Sequence, residues 1–210
     1  MRNYPHKIFA VFVMVLLMTL QCRKDEPKPS VSPEDPPMIS LAVTDLGLVN
    51  SIKPYGEEIE KYVRRSSLRY LSGNSLAPVI SVSSGLVDSV VFNDDANFSD
   101  YRIRVRVTKN SQWYIVYNHV AEVKVKKGDI ISSGKILGRV GTGDLVDLQV
   151  SRVISDINGE RHEATVCPSG LFHHSAEMSH IMFAQNKGVS PTLCAYGSVI
   201  PYYSEPWKIR

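Results

Sequence analysis

The 210-residue chain carries little excess charge: 24 Lys and Arg stand against 21 Asp and Glu, a formal net charge of +3. The two signs are interspersed, so no basic face tracks a phosphate backbone, and nucleic acid is excluded as a partner. The apolar run Ile8–Leu20 falls short of the ~20 residues that cross a bilayer comfortably. No repeat suggests a solenoid or propeller, and no heptad run suggests a coiled coil. There is no G-x-S-x-G for a nucleophilic serine and no H-E-x-x-H for a helical zinc site. "GTGD" (141–144) is too short for a phosphate loop. Helical periodicity is scarce. What remains is ample apolar material, 43% of residues, enough for one packed core that folds without staples.

The N-terminus is organised for export. Arg2 and Lys7 precede the apolar run, and Gln21-Cys22 follows it. This resembles the signal peptide of bacterial lipoproteins with Cys22 as the lipidated residue, giving a leader over residues 1–22; an uncleaved membrane anchor is the alternative. Residues 23–38 are rich in proline and mixed charge, which buries too little apolar surface to fold and reads as a tether. "KDE" after Cys22 suits either a surface-export signal or a solvated linker. With Cys22 lipidated, Cys167 and Cys194 remain as a possible disulfide in an oxidising compartment, or as two buried thiols.

From residue 39 onward the chain reads as strands. "YRIRVRVT" (101–108) alternates with a period of two, placing Tyr101, Ile103, Val105 and Val107 toward a core and Arg102, Arg104 and Arg106 toward solvent. Further strands fit residues 77–92 in two pieces about Gly85, 113–120 after the turn "KNSQ", 121–126, 135–141 and 145–154. Two stretches carry helical spacing: 56–71, with Glu57, Glu58 and Glu60 at its acidic start, and 175–188, with Ser175 as N-cap and Gly188 as stop.

Across residues 77–154 a set of motifs falls in fixed order: Ala77-Pro78, Gly85-Leu86-Val87, Tyr117-Asn118-His119, then Val125, Gly128-Asp129, Ile131, Gly134, Ile136-Leu137-Gly138, Val140 and Gly141. The order resembles that of the lysostaphin-like or LytM-type zinc endopeptidases, which cut peptide cross-bridges in peptidoglycan. The resemblance implies a mainly β domain over residues 39–210, an antiparallel sheet or barrel-sandwich of interlocked hairpins with one or two short helices. Its family-like core is 77–154, and a C-terminal extension covers 159–210. Gly128 and Gly134 belong at tight turns, with Ile130, Ile136 and Val140 filling the core. Biotinyl and lipoyl carriers and export-pump adaptors share part of the pattern, but this chain lacks their modified lysine and coiled coil. In the extension, "YGSVIPYYSEPW" (196–207) reads as buried aromatic packing.

The resemblance also implies a zinc site, and here the residues depart from it. The family binds zinc through a histidine and an aspartate four residues apart before the Ala-Pro strand, plus the second histidine of an H-x-H. The first histidine of that pair and the Y-x-H histidine assist the attacking water. In this chain Asp147 and Gln149 occupy the H-x-H positions, and residues 46–76 contain neither histidine nor aspartate. A catalytic zinc needs about three protein ligands. His119 is left from the constellation and reads as a structural hydrogen-bonder. His173, His174 and His180 cluster beside a helix start and read as ordinary histidines, not as a new metal site. The expectation is therefore a lipid-anchored protein of the bacterial cell envelope with no cofactor and no assigned catalytic residue, binding peptidoglycan or an envelope protein. An active zinc endopeptidase using Asp147, His119 and a C-terminal histidine is the alternative.

Overall fold

Alternating apolar and polar residues become strands over most of the chain in the computed structural model, which describes residues 35–61, 63–95, 98–155, 158–195 and 203–204. The leader with Cys22, most of the tether and most of the 196–207 segment lie outside the described residues. Residues 32–210 make up one unit.

Among the described residues thirteen strands run in chain order: β1 (Val49–Lys53), β2 (Glu58–Glu60), β3 (Val63–Arg64), β4 (Leu68–Ser72), β5 (Pro78–Ile80), β6 (Gly85–Asp95), β7 (Phe98–Arg106), β8 (Trp113–Ala121), β9 (Ile130–Ile131), β10 (Ile136–Val140), β11 (Leu145–Ser155), β12 (Arg161–Val166) and β13 (Tyr203–Ser204). Helix α1 (His174–Lys187) follows β12. An eleven-stranded antiparallel sheet has the main order β1-β4-β11-β8-β7-β6-β9; β10 joins β5 to β8, and β12 joins β11 to β13.

The long strand β11 organises the sheet. Its first half, Leu145–Leu148, pairs with β4, and its second half, Val150–Ser155, pairs with β12, while β8 runs along its other side. Val146, Leu148 and Val150 point into the core with no exposure, against Leu68 and Tyr70 of β4, Ile115 and Tyr117 of β8, and Ile103 and Val105 of β7. Each such buried aliphatic side chain contributes ~1.5–3 kcal/mol relative to exposure. The intervening residues Asp147, Gln149 and Ser151 lie on the opposite face, as the two-residue period of a strand requires. The Tyr117 hydroxyl reaches from the core to the bend after β5, accepting the Val82 N–H at 3.0 Å. Burial pushes that phenol up to about 12.

Several expectations need correction. The helix expected over 56–71 is instead β2, β3 and β4: Leu68 and Tyr70 alternate into the core, and β4 is zipped between β1 and β11. Pairing with two strands outweighs a weak helical period. Glu57 and Glu58 are therefore not an acidic helix start; they pair with Arg65 and Arg64 across the small hairpin. The strand expected over 121–126 stops at Ala121, because Glu122 takes a positive φ of 46° that turns the chain. Ile130 and Ile136 are exposed, and their neighbours Ile131 and Leu137 fill the core instead; a slip of one residue inverts every side chain of a strand. The N-cap of α1 is His173, whose ring nitrogen accepts the Ser175 N–H, rather than Ser175 itself. Arg104 and Arg106 are not simply solvated: both stack over Tyr114 and pair with Glu163 and Asp88 respectively. Gly128 and Gly134 do sit at turns that demand positive φ, 93° and 83°.

The extension is fastened to the sheet at two places. Cys167 and Cys194 are joined in a disulfide, their Cα atoms 6.2 Å apart and 27 residues apart in sequence; closing a loop of that length is worth about 3–4 kcal/mol in the chain-entropy account. Helix α1 packs its buried His180 against the sheet. His180 Nδ1–H donates to the Ala176 carbonyl at 2.7 Å, its Nε2 accepts the Tyr70 hydroxyl at 2.9 Å, and the ring stacks on Phe172. This arrangement satisfies the neutral imidazole. Burial accordingly lowers the His180 pKa, although the Ala176 bond opposes it, and raises that of Tyr70.

A histidine whose pKa is lower folded than unfolded binds fewer protons in the native state between the two values. Stability is then fully present above the unfolded value near 6.5 and declines as pH falls below it. Thermal midpoints measured from pH 7.5 to 5 should fall over this window. In His180→Phe the His180 share of that slope should vanish, with an overall loss of about 1–3 kcal/mol because the Tyr70 hydroxyl loses its acceptor.

Candidate functional site

On the polar face of the sheet, β4, β11 and β8 bring three residues to one level: Arg69 lies opposite Asp147, and Asp147 opposite Asn118. Arg69 Nε and Nη2 donate to Asp147 Oδ1 and Oδ2, each at 2.8 Å. This is a bidentate guanidinium–carboxylate pair, the strongest form of such contact. Asp147 is 5% exposed. The hydrogen bond to Asp147 raises the Arg69 pKa further above its ordinary value, against the opposing effect of burial.

His119 reaches this face through a β-bulge. Tyr117 and Val120 both point into the core, so two residues rather than one, Asn118 and His119, must be accommodated between them. The ladder with β7 shows the slip, with Ile103 opposite Tyr117 but Tyr101 opposite Val120. His119 absorbs it with a φ of 62°, a left-handed conformation that costs a non-glycine residue roughly 1–3 kcal/mol. Bulges of this kind re-aim side chains near functional sites.

The imidazole is held from behind. Asp100 of β7, 1% exposed, accepts His119 Nδ1–H at 3.0 Å, Asn93 Nδ2 at 3.0 Å and the Thr142 N–H at 3.3 Å. A carboxylate that only accepts fixes the proton of His119 on Nδ1. Nε2 thereby carries the lone pair, 3.9 Å from Asp147 Oδ2. Gly141 makes this arrangement possible: a Cβ there would stand 2.6 Å from Asp100 Oδ2 and 2.7 Å from the His119 carbonyl.

Of the residues singled out from the sequence, His119 and Asp147 are brought together. Gln149 lies on the same face but donates to Ser151 Oγ at 2.9 Å. His173 caps α1 and His180 is buried beneath it, bonded to Tyr70, so neither is presented together with His119 and Asp147 as the metal-binding alternative needs. Asp100, Arg69 and Gly141 were not marked as site residues. Arg69 sat inside an expected helix, Asp100 beside an expected alternating strand, and Gly141 at the end of the strand expected over 135–141.

A catalytic zinc does not fit this donor set. His119 and Asp147 supply two ligands, and both oxygens of Asp147 are already bonded to a guanidinium. A divalent ion held about 4 Å from that cation would meet a repulsion of about 8 kcal/mol at an effective dielectric near 20. Among the described residues no group of three or more His, Cys, Asp or Glu side chains is arranged to hold a metal ion.

Residues 70–152 match the family model of Peptidase family M23. That segment is similar to Peptidase family M23. The lysostaphin- and LytM-type resemblance therefore holds for the segment that contains β5 to β10, Asp147 and His119. Solved structures similar to the chain include a catalytic domain of the prophage-encoded M23 protein EnpA from Enterococcus faecalis, with 19% identity, a TM-score of 0.43, and 59% of this chain and 92% of that one covered. Csd3 of Helicobacter pylori gives 15% identity and a TM-score of 0.48 over 72% of this chain, which spans 39% of that protein. Lysostaphin from Staphylococcus simulans gives 15% identity and a TM-score of 0.46, with 79% of this chain and 60% of that one covered. Curated protein sequences yield no match.

Within the M23-like segment, the fit of Gly141 against Asp100 and His119 leads to a direct expectation. Gly141→Ala should lose about 1–3 kcal/mol in urea unfolding and displace the His119 Nδ1–H resonance, because the added methyl overpacks the dyad. Gly170→Ala, where a Cβ meets open space, should stay within about 0.5 kcal/mol of the parent.

Proposed function

We propose that the protein is a lipid-anchored component of the bacterial cell envelope whose M23-like domain binds peptidoglycan, or docks on an envelope protein such as a wall hydrolase, without cleaving the wall. The observation that carries this reading is the Arg69–Asp147 pair. It neutralises the carboxylate at an H-x-H position and leaves a polar, hydrogen-bonding surface in place of a Lewis acid. The same face of the sheet continues through Arg104 and Arg106 over Tyr114, giving planar cationic groups of the kind that hold peptide and sugar. Cys22 is the proposed site of lipid attachment, with residues 23–38 as the tether.

The second reading, an enzyme, draws on the Asp100–His119 dyad, which orients the imidazole on the polar face of the sheet. Such a histidine can take a proton from water, but among the described residues this face supplies no third zinc ligand to polarise a peptide carbonyl.

Two measurements test the proposal. Purified protein incubated with insoluble sacculi should co-sediment with them and release no soluble muropeptide, with or without added zinc; Arg69→Ala should weaken the retention. Release of muropeptides that is abolished by a chelator and by His119→Ala would establish the enzyme, and failure to bind either sacculi or any envelope protein would remove the binding reading. For the anchor, Cys22→Ala should abolish incorporation of labelled fatty acid in cells and release the protein from the membrane fraction.

A further inference from the structure

Positive charge is concentrated on one short stretch of the domain. Residues 122–139 carry four lysines and Arg139 against Glu122 and Asp129, a formal charge of +3 and as much as the whole chain bears. Arg139 is paired with Glu122, whereas Lys124, Lys126, Lys127 and Lys135 are exposed and have no acidic partner among the described residues. Four lysines this close together are too local to follow a nucleic-acid backbone, but they set up a positive field over one patch of surface.

Backbone bonds hold the stretch together. The Lys124 N–H donates to the Leu137 carbonyl at 2.8 Å, Arg139 lies opposite Ala121, and the Lys126 carbonyl accepts the Asp129 N–H at 3.1 Å in the turn that leads into β9. Because Ile131 and Leu137 fill the core, their neighbours Ile130 and Ile136 point outward, and Ile130 is 88% exposed. Lysines at a sheet edge ordinarily repel a second strand, and β9 is an edge strand. That role accounts for the charge. It does not account for an isoleucine left almost wholly in water between Lys127 and Lys135.

We propose that this surface lies on an anionic lipid bilayer, with Lys124, Lys126, Lys127 and Lys135 over the lipid phosphates and Ile130 and Ile136 entering the headgroup layer. Aliphatic tips among unpaired ammonium groups are the composition that binds such an interface, the charge drawing the surface down and the apolar groups leaving water. The chain enters the domain at the same place. The Ser40 N–H donates to the Val82 carbonyl at 3.0 Å, Ser40 Oγ lies 2.8 Å from Ser133 Oγ in the turn between β9 and β10, and a Cβ at Gly134 would meet Leu41 Cδ1 at 3.6 Å. Met38, 61% exposed, and the exposed Leu41 extend the apolar area there. The tether of residues 23–38 therefore joins the domain beside the lysines, and a segment of that length reaches at most ~50–60 Å. That a membrane is at hand rests on the anchored-envelope reading; the affinity of the surface for anionic lipid does not.

The test places the full chain in vesicles of phosphatidylcholine alone or mixed with phosphatidylglycerol, confirms its presence by flotation, and measures acetylation rates of individual lysines by mass spectrometry. On the anionic vesicles the four lysines should react about fivefold more slowly than on the neutral ones, while the exposed Lys53 and Lys109 stay within about twofold. The protection should fade at about 0.5 M salt, where charges on a surface are screened. Ile130→Ser, a change at an exposed position that keeps the charge, and the pair Lys126→Gln, Lys127→Gln should each weaken it. Equal rates on the two vesicles, slowing of Lys53 and Lys109 to the same degree, or protection by sacculi and not by vesicles would overturn the proposal. Protection unchanged in Ile130→Ser would overturn the insertion of the isoleucines. A chain that fails to float with neutral vesicles but is held and protected on anionic ones supports this surface while counting against the lipid anchor at Cys22.

Discussion

A carboxylate almost removed from water must have its oxygens bonded, and on the polar face of this sheet Asp147 meets that requirement with a cation. Asp147 sits mid-sheet on β11, flanked by strands on both sides, and the pairing with Arg69 supplies both of its oxygens at once. Breaking such a pair by removing one partner typically costs several kcal/mol, because the surviving charge stays buried. The pair thus couples β4 to β11 at the level where β8 presents Asn118 and His119. It also satisfies both carboxylate oxygens of Asp147 from within the sheet.

The second constraint is spatial. A strand that places Tyr117 and Val120 on the core side has to put two residues on the other side, and the bulge that results costs backbone strain at His119. That strain is held by the Asp100 bond and by the lack of a side chain at Gly141. A glycine that closes the motif series thus also serves as clearance for a buried aspartate–histidine dyad. The scaffold motif and the site are joined at that residue.

Similarity to Peptidase family M23 covers the segment 70–152, and a fold by itself does not settle chemistry. The chemistry follows from the side chains on the polar face of the sheet: a paired arginine and aspartate, an oriented histidine, a glutamine bonded to a neighbouring serine, and arginines stacked on Tyr114. An envelope location suits the disulfide between Cys167 and Cys194, a bond that persists outside reducing compartments.

The strand content, the order of the motifs, the turns at Gly128 and Gly134, the helix near 175–188 and the departure of Asp147 and Gln149 from an H-x-H pattern were legible in the sequence. All of these depend on local periodicity, turn chemistry or residue identity. The sequence did not disclose that 56–71 is strand, because β4 is stabilised by partners distant in the chain, nor that Ile131 and Leu137, not Ile130 and Ile136, face the core, because register is set by pairing. It also could not bring Arg69, Asp100 and Gly141 to His119 and Asp147, residues spread over some eighty positions. A charge at one point of the chain finds its counter-charge only when the sheet is assembled. The sequence by itself determined the family resemblance, the class of fold and the identities of Asp147 and Gln149; only the tertiary structure decided how those side chains are paired, because a cross-strand ion pair exists in register and distance rather than in any local pattern.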